Sequence, residues 1–332
     1  MHVSYEKALA IFDSIPSQYK SAYLHPFYVS ADASRDPALK PVFWVYEEDG
    51  AIFYHGFHLA KIENTQYYDI QSPYGYGGAI SSSSDTNFLS RAWASYSNWC
   101  KENFVLAEFI RFHPLLQNWQ FYNGEVIYNR DTVFVDLSSH DLMSNYNPRT
   151  RTAIRKALKN EMTFEWIKSD QAFYIFPKLY NSAMTLLGAE SSYFFSDTYH
   201  QLILGWEKVN LAVCRLSDGN IGAAAVFFES NKMIEYHLGA STKTGQTLGA
   251  MLMLMYTVSL YAQKLGYEFL YLGGGTTSEA QDSLLFFKSR LSKLSASFRI
   301  GKSVFYPDMY DTIKYNWQLK NGCVPNRILF YR

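Results

Sequence analysis

The spacing of apolar positions changes along the chain, and each change marks an element. Near the N-terminus Glu6, Lys7 and Asp13 interrupt the apolar residues, which predicts a short amphipathic helix and not the continuous apolar region of a signal peptide. Over residues 41–71, β-branched and aromatic residues surround an Asp49-Gly50 turn, so a hairpin and a further strand are expected. The serines of 81–84 read as a loop, and Asp85 as the N-cap of a helix over 86–103. Strands are expected at 104–112, 124–128 and 132–137. Pro148 predicts the start of a helix over 147–159. Beyond it the pattern reads helix 170–187, helix 197–208, strand 211–216, a turn at Asp218-Gly219-Asn220, strands 221–229 and 233–238, an apolar helix, and strand 269–272.

The apolar helix admits two readings. No charged residue falls between Lys243 and Lys264, and 248–262 includes Met251, Leu252, Met253, Leu254 and Met255. Against a membrane span stand Gly245, Gln246, Thr247, Gly249, Thr257 and Ser259, and an apolar run shorter than the ~18 residues a span needs. A buried core helix is expected instead.

The chain has 332 residues, enough for two α/β lobes of roughly 150 residues each. Its hydrophobic content of 48%, with 27 Tyr and 24 Phe, suits large cores and aromatic-lined clefts. Lys plus Arg and Asp plus Glu are equal at 30, so no overall field favours DNA or anionic lipid, and any anion site must be local. Cys100, Cys214 and Cys323 lack the pairing or spacing of a disulfide framework or a zinc site. A cytoplasmic setting, no metal and no stable DNA binding are expected.

Three segments could carry chemistry. Arg149, Arg151, Arg155, Lys156 and Lys159 crowd one predicted helix, with Arg151, Arg155 and Lys159 on one face. They form either a phosphate-holding stripe or a solvated surface. In 73–78, Tyr74, Gly75, Tyr76 and Gly77 make a loop after a strand whose backbone can approach a ligand closely. Gly273, Gly274 and Gly275 follow another strand, without the GxGxxG or P-loop pattern. Beyond them Lys288 follows Phe286-Phe287, where it could neutralise a phosphate or stabilise an oxyanion, although a lysine there also suits a helix surface. His113 and His237 are each candidate bases or structural histidines. No GxSxG, HExxH or paired-Cys motif occurs.

Taken in order, these segments resemble the FemAB-like branch of the GNAT acyltransferase superfamily, whose members add amino acids from aminoacyl-tRNA to peptidoglycan precursors. The resemblance rests on the 73–78 loop, Phe109-Ile110-Arg111-Phe112-His113-Pro114, 132–137, and Arg151-Thr152-Ala153-Ile154-Arg155-Lys156-Ala157. It continues through Tyr236-His237-Leu238-Gly239-Ala240-Ser241 and Leu272-Gly273-Gly274-Gly275 to Phe287-Lys288. It implies an α/β fold of two GNAT-like lobes, mixed sheets flanked by helices, at 1–145 and 146–302, with a tail at 303–332 returning to the first lobe. It implies Lys288 in an inter-lobe substrate cleft, between the triple-glycine loop and the 73–78 loop, and the basic helix facing substrate phosphates. Tyr236 or His237 would serve as base, and Arg111 and His113 would join the binding residues.

The implied activity is N-acyl or aminoacyl transfer onto the amine of a cell-envelope or nucleotide-sugar precursor, a small molecule or a lipid-linked one. No bound cofactor is implied, only acyl-CoA or aminoacyl-tRNA as donor. Two departures leave the donor open: the helical hairpin arm of some tRNA-using members is missing, and Gln246-Thr247-Leu248-Gly249-Ala250 only approximates the pyrophosphate loop of CoA users. The competing class is a non-catalytic module that binds a glycan or nucleotide-sugar.

Overall fold

A computed structural model describes residues 1–139, 141–167, 170–277, 279 and 282–332. In chain order it opens with β1 (His2–Val3), α1 (Tyr5–Ser14), α2 (Pro26–Ala33), β2 (Leu39–Glu48), β3 (Ala51–Lys61), β4 (Tyr68–Gln71) and β5 (Ile80–Ser81). Then come α3 (Thr86–Glu102), β6 (Val105–Arg111), β7 (Glu125–Asp136), α4 (Pro148–Leu158), β8 (Thr163–Ile167), α5 (Asp170–Leu186) and α6 (Asp197–Leu204). The last are β9 (Val209–Arg215), β10 (Ile221–Ser230), β11 (Met233–Ser241), α7 (Lys243–Leu248), α8 (Ala250–Lys264), β12 (Phe269–Gly273), α9 (Ser283–Ser289), β13 (Ser295–Val304) and α10 (Pro307–Asn321).

These elements form two compact units, Met1–Asn129 with Ser297–Arg332, and Arg130–Ala296. In the first, β2, β3 and β4 make an antiparallel run, β4 pairs in parallel with β6, and β13 closes on β6 antiparallel. The hairpin turn is built by Asp49 and Gly50, both with positive φ, between the paired Glu48 and Ala51. A parallel pair needs a crossover, which α3 supplies, burying Phe88, Ala92, Trp93 and Tyr96 against the sheet.

The second unit repeats the plan. β8, β9, β10 and β11 are antiparallel neighbours, β11 pairs in parallel with β12, and β7 closes on β12 antiparallel. Its crossover is the apolar helix, α8, which buries Leu252, Met253, Leu254, Met255 and Val258 in the core it shares with α4 and the sheet. Among the described residues no helix is long and apolar enough to cross a membrane. The fold is α/β, with mixed sheets flanked by helices.

The division falls at Asn129 and Arg130, ahead of the 145/146 boundary read from the sequence, because the strands expected at 124–128 and 132–137 are one strand, β7. The polar run Asn129-Arg130-Asp131 looks like a break, but these residues are half-buried or exposed, and a strand with a solvated face tolerates them. Helix α6 stops at Leu204, with Gly205 as its C-cap, short of the expected 208. Strand β11 runs on to Ser241.

Candidate functional site

The ladder between β11 and β12 runs from Met233–Phe269 to Glu235–Tyr271 and stops there, although β11 continues to Ser241 and β12 to Gly273. Each strand keeps its other neighbour, β10 for β11 and β7 for β12. The register against β10 slips at Val226–Phe227, placing His237 as the extra residue of a bulge. Successive residues of a strand face opposite sides, and the two residues here point to different layers. Tyr236 packs against the core of α4 and α8. Its ring folds back over Gly239, where an added Cβ would come within 2.4 Å of the hydroxyl.

At the end of β12 the chain enters the triple glycine. Gly273 has φ +76°, a conformation that favours glycine. At Gly275 an added Cβ would meet Asp282 Oδ1 at 2.3 Å, whereas at Gly274 it would make ordinary contacts of 3.4 Å. Asp282 is the N-cap of α9 and accepts from Leu285 N at 2.8 Å. Its other oxygen accepts from Thr276 N (2.9 Å), Thr276 Oγ1 (2.6 Å), Thr277 N (2.9 Å) and Thr277 Oγ1 (3.3 Å). Burial pushes this carboxyl up, but the bonds from Thr276, Leu285 and Thr277 outweigh it and hold it well below the usual range. Arg130 of β7 donates to the carbonyls of Gly275 (3.1 Å) and Thr277 (2.6 Å).

Lys288 lies in the last turn of α9 and is buried. Its Nζ donates to the Gly274 carbonyl at 2.6 Å and sits 5.4 Å from the centre of the Tyr236 ring. Burial lowers its pKa to about 7, with Asp282 pulling the other way. Lys288, Tyr236 and the triple-glycine loop are thus brought together. The sequence did not single out Asp282, Thr276, Thr277 or Arg130. An Asp directly before Ser283-Leu284-Leu285 is a legible N-cap, but its grip on the glycine loop depends on how that loop folds.

His237 does not join this group. It stacks on Phe228 at 4.3 Å, and its Nε2 shares a 2.7 Å hydrogen bond with Tyr199 of α6. Burial, with His200 nearby, lowers its pKa to about 3, so it is neutral at physiological pH. In α4, Thr150, Ile154 and Ala157 are buried, which leaves Arg149, Arg155 and Lys156 exposed and Arg151 half-buried. None of these four cations has a carboxylate within salt-bridge distance among the described residues, unlike the exposed pairs Arg91–Glu48, Arg215–Glu165 and Lys232–Glu268.

In the first unit the 73–78 loop is braced from several sides. Tyr74 N donates to Asp32 Oδ2 at 2.8 Å, Tyr28 donates to the Tyr74 carbonyl at 2.7 Å, and Arg111 Nη1 to the Pro73 carbonyl at 3.2 Å. Tyr74 and Gly75 remain half-buried, while Tyr76 and Gly77 are buried. Gly75, with φ +86°, lies so close to Tyr23 that a Cβ would overlap its ring at 2.4 Å. Buried His113 accepts at Nδ1 from Leu116 N at 3.2 Å, and its backbone N–H donates to Asn118 Oδ1, so it helps order the neighbouring loop. Arg35, unremarked in the sequence, pairs with buried Asp32 at 2.9 Å and lies 5.9 Å from the Tyr74 ring. Burial and then the charge of Arg35 lower the Arg111 pKa, with Asp32 opposing.

Two surface cavities of this unit, of about 420 and 610 Å³, are lined by residues such as Ser97, Glu125 and Lys302, and Trp44, Glu47 and Trp99; none of the residues chosen from the sequence lines them. Among the described residues no group of three or more His, Cys, Asp or Glu could hold a metal ion.

No family model matches the sequence, and no curated protein matches it. Solved structures do. FemX is 15% identical with a TM-score of 0.70, the match covering 94% of this chain and 99% of that one. The C-terminal DUF2156 domain of a lysylphosphatidylglycerol synthetase from Agrobacterium fabrum is 14% identical with a TM-score of 0.58, covering 96% and 99%. L-PGS from Bacillus licheniformis is 14% identical with a TM-score of 0.58, covering 90% and 91%. Identities this low speak of fold alone, and the chain shares its α/β fold with these three structures.

Proposed function

We propose that the protein is an N-acyltransferase or aminoacyltransferase acting on the amine of a cell-envelope or nucleotide-sugar precursor. The observation that carries this reading is Lys288: a buried lysine whose Nζ is held by the Gly274 carbonyl beside Tyr236, where the β11–β12 ladder ends. Its pKa of about 7 matches a group that gives and takes protons at neutral pH. The neutral amine accepts the proton lost by the acceptor nitrogen as that nitrogen attacks the donor carbonyl. The ammonium so formed then stabilises the oxyanion of the tetrahedral intermediate. Collapse of the intermediate expels the sulfur of a CoA donor or the ribose oxygen of a tRNA donor, which takes the proton from the Lys288 ammonium and restores the neutral amine.

Likeness to FemX and the lysylphosphatidylglycerol synthetase domains supports aminoacyl transfer to a cell-envelope component within this class. Phosphates of the acceptor are assigned to α4, whose Arg149, Arg151, Arg155 and Lys156 have no carboxylate within salt-bridge distance among the described residues.

The test is turnover. Purified protein is incubated separately with acetyl-CoA and with alanyl-tRNA, each against a UDP-linked muramyl peptide carrying a lysine amine and a UDP-amino sugar. The reading expects the acceptor to gain the mass of the acyl or aminoacyl group in at least one pairing. Binding of an acceptor with no mass gain from any donor would instead favour a non-catalytic module.

A further inference from the structure

The triple-glycine loop does not hold itself in place. It is fastened to α9 by a single carboxylate, which spends one oxygen on capping the helix and the other on four donors from Thr276 and Thr277. The close fit at Gly275, where any Cβ would strike that carboxylate, is the packing signature of the same clasp. Arg130 grips the loop from β7 through the carbonyls of Gly275 and Thr277. The next carbonyl back along the chain, that of Gly274, receives Lys288 Nζ. Asp282 and Lys288 thus sit at the two ends of one short helix and meet the same loop.

We propose that Asp282 is the positioning residue of Lys288: by clasping the loop after β12 to the start of α9, it fixes the Gly274 carbonyl that holds Nζ beside Tyr236. The inference concerns the lysine of the proposed transfer site and rests on that reading. Capping alone would not require it, since the bond to Leu285 N suffices to cap α9. The bonds to Thr276 and Thr277 add nothing to the helix, but they determine where the Gly274 carbonyl points.

Among the described residues, the charged and titratable groups that meet Lys288 or its loop are Asp282 at the N-cap of its own helix, Tyr236 on β11 and Arg130 on β7. Loosening the clasp and removing the charge push in opposite directions. A released loop lets water reach Nζ, and the lysine moves up toward its ordinary value. Loss of the Asp282 charge alone moves it further down.

The experiment uses the full chain, with lysine side chains labelled with ¹³C at Cε, the Lys288 signal assigned by its absence in Lys288→Met, and titration followed by NMR. Asp282→Ser keeps an N-cap for α9 but cannot reach Thr276 and Thr277. Thr276→Val keeps the carboxylate and removes its shortest bond. The proposal expects Lys288 to titrate at least ~1 unit higher in Asp282→Ser, and by a smaller upward step in Thr276→Val. In any transfer assay that turns over, kcat falls with little change in KM. A Lys288 titration that is unchanged or lower in both folded variants overturns the positioning role. Because the titration requires no turnover, this outcome is independent of whether the transfer reading holds.

Discussion

At the scale of the residue, Lys288 stands against its surroundings: an ammonium is costly to bury, and burial brings this one to about 7 while Asp282 resists. The consequence for stability has a definite sign. Between about 7 and the ordinary lysine range the unfolded chain binds the extra proton, so stability is greatest above that range, falls as pH drops toward 7, and levels off below it. Chemical denaturation of wild type and Lys288→Met at pH 7 and 9.5 should show the wild type gaining stability at the higher pH by more than the variant does; equal gains would mean that Lys288 is not perturbed. The three glycines separate in the same way. Gly274→Ala should cost under ~1 kcal/mol, whereas Gly275→Ala, which drives a Cβ into Asp282, should cost about 1–3 kcal/mol and raise the Lys288 titration. The sequence made all three look alike, because what sets Gly275 apart is a side chain seven residues further on.

At the scale of the element, α4 and α8 show what patterning can convey. Both follow from the sequence, α4 through Pro148 at its start and α8 through its continuous apolar run, and both occur with nearly the expected bounds. The exposed face of α4 carries like charges at i, i+4 and i+8, an arrangement that costs a few tenths of a kcal/mol per pair and works against the helix dipole near Arg149 and Arg151. Reversing Arg151 and Arg155 to Glu should therefore leave the free energy of unfolding within ~1 kcal/mol of wild type and weaken binding of a UDP-linked acceptor about tenfold or more. Calorimetric titration at moderate salt checks this, and unchanged affinity would remove the phosphate role. Strand β7 was harder to read, since Asn129-Arg130-Asp131 carries the polarity of a loop while its backbone stays extended. His237 follows the alternation of β11: as the residue next to Tyr236 it faces the other side of the sheet, and only the fold shows that this side holds Tyr199.

At the scale of the whole molecule, the order of the chain and the composition of its units differ. The first unit takes its closing strand, β13, from beyond residue 296, with α10 and the last residues; Tyr310, Leu329 and Phe330 pack on Leu106 and Ala107, and Arg332 pairs with buried Asp69 at 2.7 Å. A chain ending at Ala296 would leave β6 paired with β4 alone and that cluster open, so the β6 amides on the β13 side should lose protection from hydrogen exchange; retained protection would contradict the role of the tail. The resemblance implied that the tail returns to the first lobe, but no local pattern in the sequence says which strand β13 joins, because register against β6 is a long-range matter. What the molecule does is tested most directly by the rate of transfer against pH for wild type and Lys288→Met, using the donor and acceptor that turn over. The account predicts a wild-type rate that rises through about pH 7 and levels off, and a variant of similar stability slower by on the order of a hundredfold, with that rise gone. Full turnover by Lys288→Met, or a wild-type rate that falls as pH rises through 7, would contradict it.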